Sequence, residues 1–220
     1  MNVCPTENFG HDGLEKRLYE YYYETELRMG RSHLAKKVLG VVGSPRKNGN
    51  THILVSRILE GAEKQGAAAD TIFLNDLNIR ECDGCHACWR GKRCSKKDDM
   101  RDIYPKIIES DVIVFGTPVY WYGPTALMKG FMDRFVYFNC PENRKKIRGK
   151  SGVIAVPFEE EDPKTADLLT EFFKKSLKYL EMKLVGEILV PGVGGRGEIL
   201  KKADRLKEGY ELGKKLAGYK

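Results

Sequence analysis

The chain has 220 residues, 41% hydrophobic and 31% charged, and no apolar run in it approaches the ~18 residues that a membrane span requires. That composition excludes membrane-spanning, collagenous and disulfide-miniprotein classes and leaves one well-filled globular core, since domains usually run ~100–200 residues. Thirty-eight Lys and Arg against thirty-one Asp and Glu give a formal charge of +7, which favours acidic partners in general; neither nucleic acid nor membrane is expected as a partner.

The opening MNVCPTENFGHDGLEK has no basic segment followed by an apolar run, so no secretory signal is expected, and the expected location is the cytoplasm. Residues 1–36 stand apart as a helical arm. Leu14, Leu18, Tyr21, Tyr22, Thr25 and Met29 form one stripe, Asp12 with Glu15 resembles a capping box, and Gly30 suits the stop. Such an arm has two readings: packing on another subunit, or folding onto its own domain.

From residue 37 to 220 short apolar runs alternate with helical patterns, the signature of a parallel sheet covered on both faces. Five strands are expected: Val38 to Gly43, Thr71 to Leu74, Asp111 to Gly116, Gly152 to Pro157 and Leu184 to Val190. Their continuous apolar runs suit strands buried on both sides. Leu54, Val55, Ile58, Leu59 and Ala62 share one helical stripe, as do Ala166, Leu169, Phe173, Leu177 and Leu180.

The first strand runs into Gly43-Ser44-Pro45-Arg46-Lys47-Asn48-Gly49-Asn50-Thr51, with a helix expected to start near Thr51. Backbone N–H groups, the positive helix end, two hydroxyls and the Arg46 guanidinium would converge there on a terminal phosphate. It is not a Walker loop, because Asn50-Thr51 replaces the Lys-Ser/Thr pair, so nucleotide triphosphate hydrolysis is not expected. The bland alternative is a polar strand-to-helix connection.

After the second strand, residues 80–97 carry Cys82, Cys85, Cys88 and Cys94 in a C-x2-C-x2-C-x5-C spacing. Four thiolates so close can enclose one soft metal centre, and Arg90, Lys92, Arg93 and Lys96 would offset their charge. An iron-sulfur cluster, a structural zinc ion and a redox dithiol are the open readings. The Cys82-to-His86 match to C-x-x-C-H is read as coincidence, since haem attachment leaves Cys88 and Cys94 unexplained. Cys4 and Cys140 are the remainder, and His11, His33 and His52 have no partner at ligand spacing.

The third strand leads to Thr117-Pro118-Val119-Tyr120-Trp121-Tyr122-Gly123-Pro124, two prolines framing three aromatics at a strand's C-terminal end, where open α/β sheets bind ligands. After the fifth strand, Gly192 to Gly197 fits G-x-G-x-x-G but is not read as a dinucleotide fingerprint. The chain ends after one further helix, so the βαβ unit and its acidic residue are missing.

Together GSPRKNGNT and TPVYWYGPTALMKGFMDRF resemble the NADPH-dependent FMN reductase family of flavodoxin-like proteins, over Val38 to Leu216. The resemblance implies a flavodoxin-like, doubly wound α/β fold with strand order 2-1-3-4-5. It also implies FMN, with its phosphate on Ser44, Arg46, Asn48, Asn50 and Thr51 and its ring bordered by Pro118, Val119, Tyr120, Trp121, Tyr122 and Gly123. With the cysteine motif, the chain is similar to the iron-sulfur flavoprotein branch, which implies a [4Fe-4S] cluster on Cys82, Cys85, Cys88 and Cys94 and a homodimer or homotetramer. The expected activity is FMN-dependent electron transfer between a one-electron carrier, such as an acidic ferredoxin, and a two-electron acceptor, with NAD(P)H as the other candidate donor. Two alternatives stand beside it: an NAD(P)H-dependent FMN or quinone reductase whose cysteines bind zinc, and a zinc-stapled flavin-binding interaction module without turnover. No general acid or base is expected.

Overall fold

The computed structural model describes residues 35–218, so Cys4, His11, His33 and the helical stripe expected over Leu14 to Met29 lie outside the described residues. Five parallel strands form one sheet in the order β2-β1-β3-β4-β5, with β1 Lys37–Val42, β2 Ala68–Phe73, β3 Val112–Gly116, β4 Ser151–Pro157 and β5 Lys183–Val190. The three central strands are buried almost throughout, as their continuous apolar runs require. β2 begins three residues before its expected start. Ala68, Ala69 and Asp70 lack the bulky apolar side chains that mark a strand, but as a sheet edge they tolerate solvent while pairing with Lys37 to Leu39.

The helices divide between the two faces. On one, α1 (Asn50–Lys64) buries its expected stripe of Leu54, Val55, Ile58, Leu59 and Ala62 against the sheet. The other face is covered by α2 (Met100–Glu109), α3 (Ala126–Asp133) and α5 (Asp167–Tyr179), with α4 (Pro141–Ile147) between α3 and β4. Met100, Phe131 and Phe173 are wholly buried there. Burying a side chain of this size contributes about 1.5–3 kcal/mol.

The C-terminal helix α6 (Ala203–Leu216) lies on α1, and the sequence pattern of neither helix announces how close they come. A Cβ on Gly213 would run into the Ile58 carbonyl, and one on Gly61 into that of Tyr210. The two backbones therefore touch at reciprocal glycines. This contact holds α6 in place and, with it, the loop that joins β5 to α6.

The packing makes a direct prediction. Gly213→Ala should destabilise the fold by about 3 kcal/mol, because backbone cannot retreat as a side chain can. Gly130→Ala, in α3 with open space around it, should stabilise by about 0.5–1 kcal/mol through helix propensity. Urea unfolding of both variants checks the pair; equal effects would mean that the α1–α6 contact is slack.

Candidate functional site

Strands β1 and β3 are neighbours, but the chain leaves them toward opposite sides of the sheet, which opens a crevice at their C-terminal ends. The loop Gly43 to Gly49 forms one wall. Ser44 and Thr51 are buried, and the Ser44 hydroxyl accepts from the Arg46 N–H at 3.2 Å. Asn48 takes a left-handed conformation, φ 55°, and its N–H donates to His52 Nδ1 at 3.1 Å. Burial lowers the His52 pKa, which suits a neutral ring accepting at Nδ1.

The Gly192 to Gly197 loop forms the facing wall. Asn50 lines the cleft and ties its two walls together: Nδ2 donates to the carbonyls of Val193 and Gly195, both at 2.9 Å, and Oδ1 accepts from Ile199 N–H at 3.2 Å. Arg46 Nη1 donates to the Gly194 carbonyl at 3.2 Å, and Arg196 donates to the Lys47 carbonyl. The two loops are thus laced together. The G-x-G-x-x-G stretch is no dinucleotide fingerprint, but it lines the cleft through Val193, Gly194 and Arg196. Phe158 and Glu159, after β4, complete the wall. Sequence reasoning missed all of these; their place just past the C-terminal ends of β4 and β5 is the signal that could have found them.

Pro118, Val119 and Tyr120 line the same cleft, and Trp121 and Tyr122 stand outside it. Tyr120 and Gly123 exchange backbone hydrogen bonds of 2.8 and 3.1 Å across a two-residue turn, with φ of 50° at Trp121 and 62° at Tyr122. Such a turn normally takes Asn-Gly. Two bulky aromatics held left-handed are strained, by about 1–3 kcal/mol each, and Trp121 is 96% exposed. A strained turn that displays an apolar ring is a mark of function rather than packing. The cleft measures about 100 Å³, below the ~300 Å³ of an enclosing small-molecule pocket. It can hold the phosphate end of a mononucleotide while a flat ring lies beside the aromatic turn.

A second recess forms where the loop after β2 folds back toward α2. Left-handed Gly84, His86 and Gly91 let it wrap tightly, and Cys82, Cys85, Cys88 and Cys94 all line it. Cys88 is buried and Cys85 exposed, with Cys85 Sγ 3.1 Å from Ser95 Oγ. Burial, followed by the nearby Cys94, pushes the Cys88 thiol up. Among the described residues no three His, Cys, Asp or Glu side chains converge as ligands of a single ion. Arg90, Lys92 and Arg93 are exposed and do not line the recess, although Arg90 Nη2 donates to the Cys85 carbonyl at 3.0 Å; Lys96 lines it and pairs with Asp83 at 2.7 Å. His86 packs edge-on against Trp89, with ring centroids 5.4 Å apart.

The charge that does reach the sulfurs comes from Arg134, at the end of α3. Its Nη2 donates to Cys94 Sγ at 3.2 Å, and its guanidinium forms a buried ion pair with Asp98. Burial alone would raise the Asp98 pKa; the Arg134 hydrogen bond and the Arg80 N–H outweigh it and hold the carboxyl below its ordinary value. Nothing in the spacing of the sequence joins residue 134 to the cysteines.

The fold and the two loops define a flavodoxin-like protein with a mononucleotide-type cleft at the switch between β1 and β3. The sequence signature of the NADPH-dependent FMN reductase family matches residues 36–187, and the chain belongs to that family. An iron-sulfur flavoprotein of Archaeoglobus fulgidus is 44% identical over 98 residues, 44% of this chain and 48% of that protein. One from Methanosarcina thermophila is 36% identical over 100 residues, 46% and 52% of the two chains. The chain spans about half the length of the curated relatives it matches. Among solved structures, an NAD(P)H:quinone oxidoreductase from Methanothermobacter marburgensis superposes with a TM-score of 0.67 at 17% identity, covering 83% of this chain and all of that one, which shows the shared fold.

Two substitutions test the cleft. Replacing Trp121-Tyr122 by Asn-Gly should raise stability by about 1–3 kcal/mol while weakening FMN binding, read by thermal melts and fluorescence titration; unchanged stability would mean that the turn carries no strain. Arg46→Ala should weaken FMN far more than riboflavin, which lacks the phosphate. Equal losses would place Arg46 away from the phosphate.

Proposed function

We propose that the protein is an iron-sulfur flavoprotein. It passes electrons between a one-electron carrier of the ferredoxin type and a two-electron acceptor, using FMN in the β1–β3 cleft and a [4Fe-4S] cluster in the cysteine recess. The observation that carries this reading is the gathering of all four motif cysteines around one recess, on a chain of the FMN reductase family with a cleft at the C-terminal ends of β1 and β3.

When bound, the cluster supplies one-electron steps and the flavin one- or two-electron steps, so together they join the two kinds of carrier. The chain's own part is placement. The buried Ser44 and Thr51 hydroxyls, the N-terminal N–H groups of α1 and Arg46 hold a phosphate dianion. Asn48 and Asn50 shape that loop, Asn48 through its left-handed backbone and Asn50 by fastening the facing wall. Pro118, Val119 and Tyr120 border the ring on one side, and the Trp121-Tyr122-Gly123 turn leaves its other side open to a partner. Cys82, Cys85, Cys88 and Cys94 hold the cluster.

The exposed Arg90, Lys92 and Arg93 around that recess suit an acidic carrier. The recess and the cleft share no lining residue, and among the described residues Trp121 stands exposed beside the cleft, a surface that a second subunit could cover. The working unit is therefore a homodimer or homotetramer in which the cluster of one subunit faces the flavin of another. A sedimenting monomer with full electron-transfer rate would remove that arrangement. The family membership favours a second reading, an NAD(P)H-dependent FMN or quinone reductase with zinc on the cysteines.

Metal and flavin assays on anaerobically purified protein separate the two: iron with FMN supports the first, zinc with NAD(P)H oxidation the second. Single Cys→Ser changes at positions 82, 85, 88 and 94 should each abolish the cluster's visible absorption while FMN stays bound, because the two sites draw on different loops. Full iron content in the Cys94→Ser protein would strike that residue from the ligand set.

A further inference from the structure

We propose that Arg134 is the positioning residue of the cysteine recess, holding the Cys94 sulfur for the metal centre and presenting to it a buried positive charge. The inference rests on the reading of the cysteines as cluster ligands. Among the described residues no other Lys or Arg is buried. A buried guanidinium is costly unless fully paired, and Asp98 alone could satisfy the charge. Yet the fork is shared: Nη1 donates to Asp98 and, at 2.8 Å, to the Arg80 carbonyl, while Nη2 reaches Asp98 Oδ1 at 3.3 Å and Cys94 Sγ at 3.2 Å.

A neutral thiol is a weak acceptor, whereas a thiolate accepts strongly from a cation. Turning a buried guanidinium N–H toward sulfur is therefore sensible chemistry for a Cys94 that ligates as thiolate. The same residue also closes the loop at its base. Asp98 Oδ2 accepts from the Arg80 N–H at 3.0 Å, and just outside it Asp99 Oδ2 accepts from the Asn78 N–H at 2.7 Å. Arg134 thus joins both ends of the cysteine loop to the end of α3.

The consequence is electrostatic. Uptake of one electron by a thiolate-ligated centre adds one negative charge, with no bond made or broken and no proton required. Arg134 meets that charge with a preformed N–H···S bond, so it favours the reduced state and raises the reduction potential. Arg90, Lys92 and Arg93, being solvent-exposed, are screened and contribute far less.

The test uses the FMN-loaded, anaerobically purified protein with Arg134→Lys and with the pair Arg134→Met, Asp98→Leu, since apolar replacement of a whole buried ion pair often preserves the fold. Two quantities are read: the rate of metal release to a chelator, and the midpoint potential of the cluster in a dithionite titration. The double variant should release metal about tenfold faster, and its potential should fall by ~59 mV, a tenfold change in the one-electron reduction constant. Arg134→Lys, which keeps the charge but not the fork, should recover most of the potential while still releasing metal faster than the parent. Unchanged release overturns the proposal, and so does faster release at the parental potential, which would make Arg134 a mere clip. Should the double variant lose its FMN and its native circular dichroism, Arg134→Lys decides alone by its release rate. Zinc in the parent protein would sink the cluster reading by itself; the release rate would then still decide whether Arg134 holds Cys94.

Discussion

One hydroxyl joins the parts of this protein that have to work together. Thr125 Oγ1 donates to the Gly43 carbonyl at the end of β1 and accepts from the Met128 N–H as the N-cap of α3, while its own N–H donates to Thr117 Oγ1. Thr117 and Thr125 are both buried, so these bonds are shielded from competing water. They fix the start of α3 against the phosphate-type loop and close the aromatic turn between them. Gly43 allows the approach: a side chain there would meet Met128 Cβ at 2.8 Å. The other end of α3 delivers Arg134 to the cysteine recess. A single short helix therefore spans from the flavin-type cleft to the sulfur-lined recess, although the two share no lining residue.

The two recesses are built on opposite electrostatic principles. At the cleft, the N–H groups of a strand-to-helix loop supply positive character, with Arg46 lining the cleft; Asn50, Arg196 and one nitrogen of Arg46 lace that loop to its facing wall. At the cysteine recess the charge comes from one buried guanidinium, neutralised by one buried carboxylate and turned toward sulfur. Backbone dipoles suit a fixed anion such as a phosphate. A charge-assisted bond to sulfur would suit a metal centre whose charge changes by one.

Strain is concentrated where the ligand would sit. Asn48, Trp121 and Tyr122 take left-handed conformations in the two loops that face the cleft, and His86 does so in the cysteine loop. Glu181, at the end of α5, is the other such non-glycine residue among those described. The rigid sheet beneath holds these loops in conformations that they would not choose alone. The reciprocal glycine contact between α1 and α6 serves the same end, because it anchors the helix that follows the Gly192 to Gly197 wall.

The strands and helices were legible because buried parallel strands must be apolar throughout and their covering helices must carry a stripe, and the strand order came from the family resemblance; the edge strand β2 blurred only at its small-residue start. The four cysteines, the phosphate-type loop and the aromatic loop were legible as well, each being a contiguous segment whose chemistry lies in its own spacing. Position in the chain said nothing of Arg134 and Asp98 or of the Thr125 hydroxyl. They act across 36 residues, from Arg134 to Asp98, and 82 residues, from Thr125 to Gly43, through contacts made only when helices close over the sheet and bring distant loops to one edge. Local spacing writes motifs into a sequence, whereas a partner chosen by packing leaves no period to read. So the sequence by itself determined the scaffold and marked the candidate segments, and only the tertiary structure decided which charges and walls meet them.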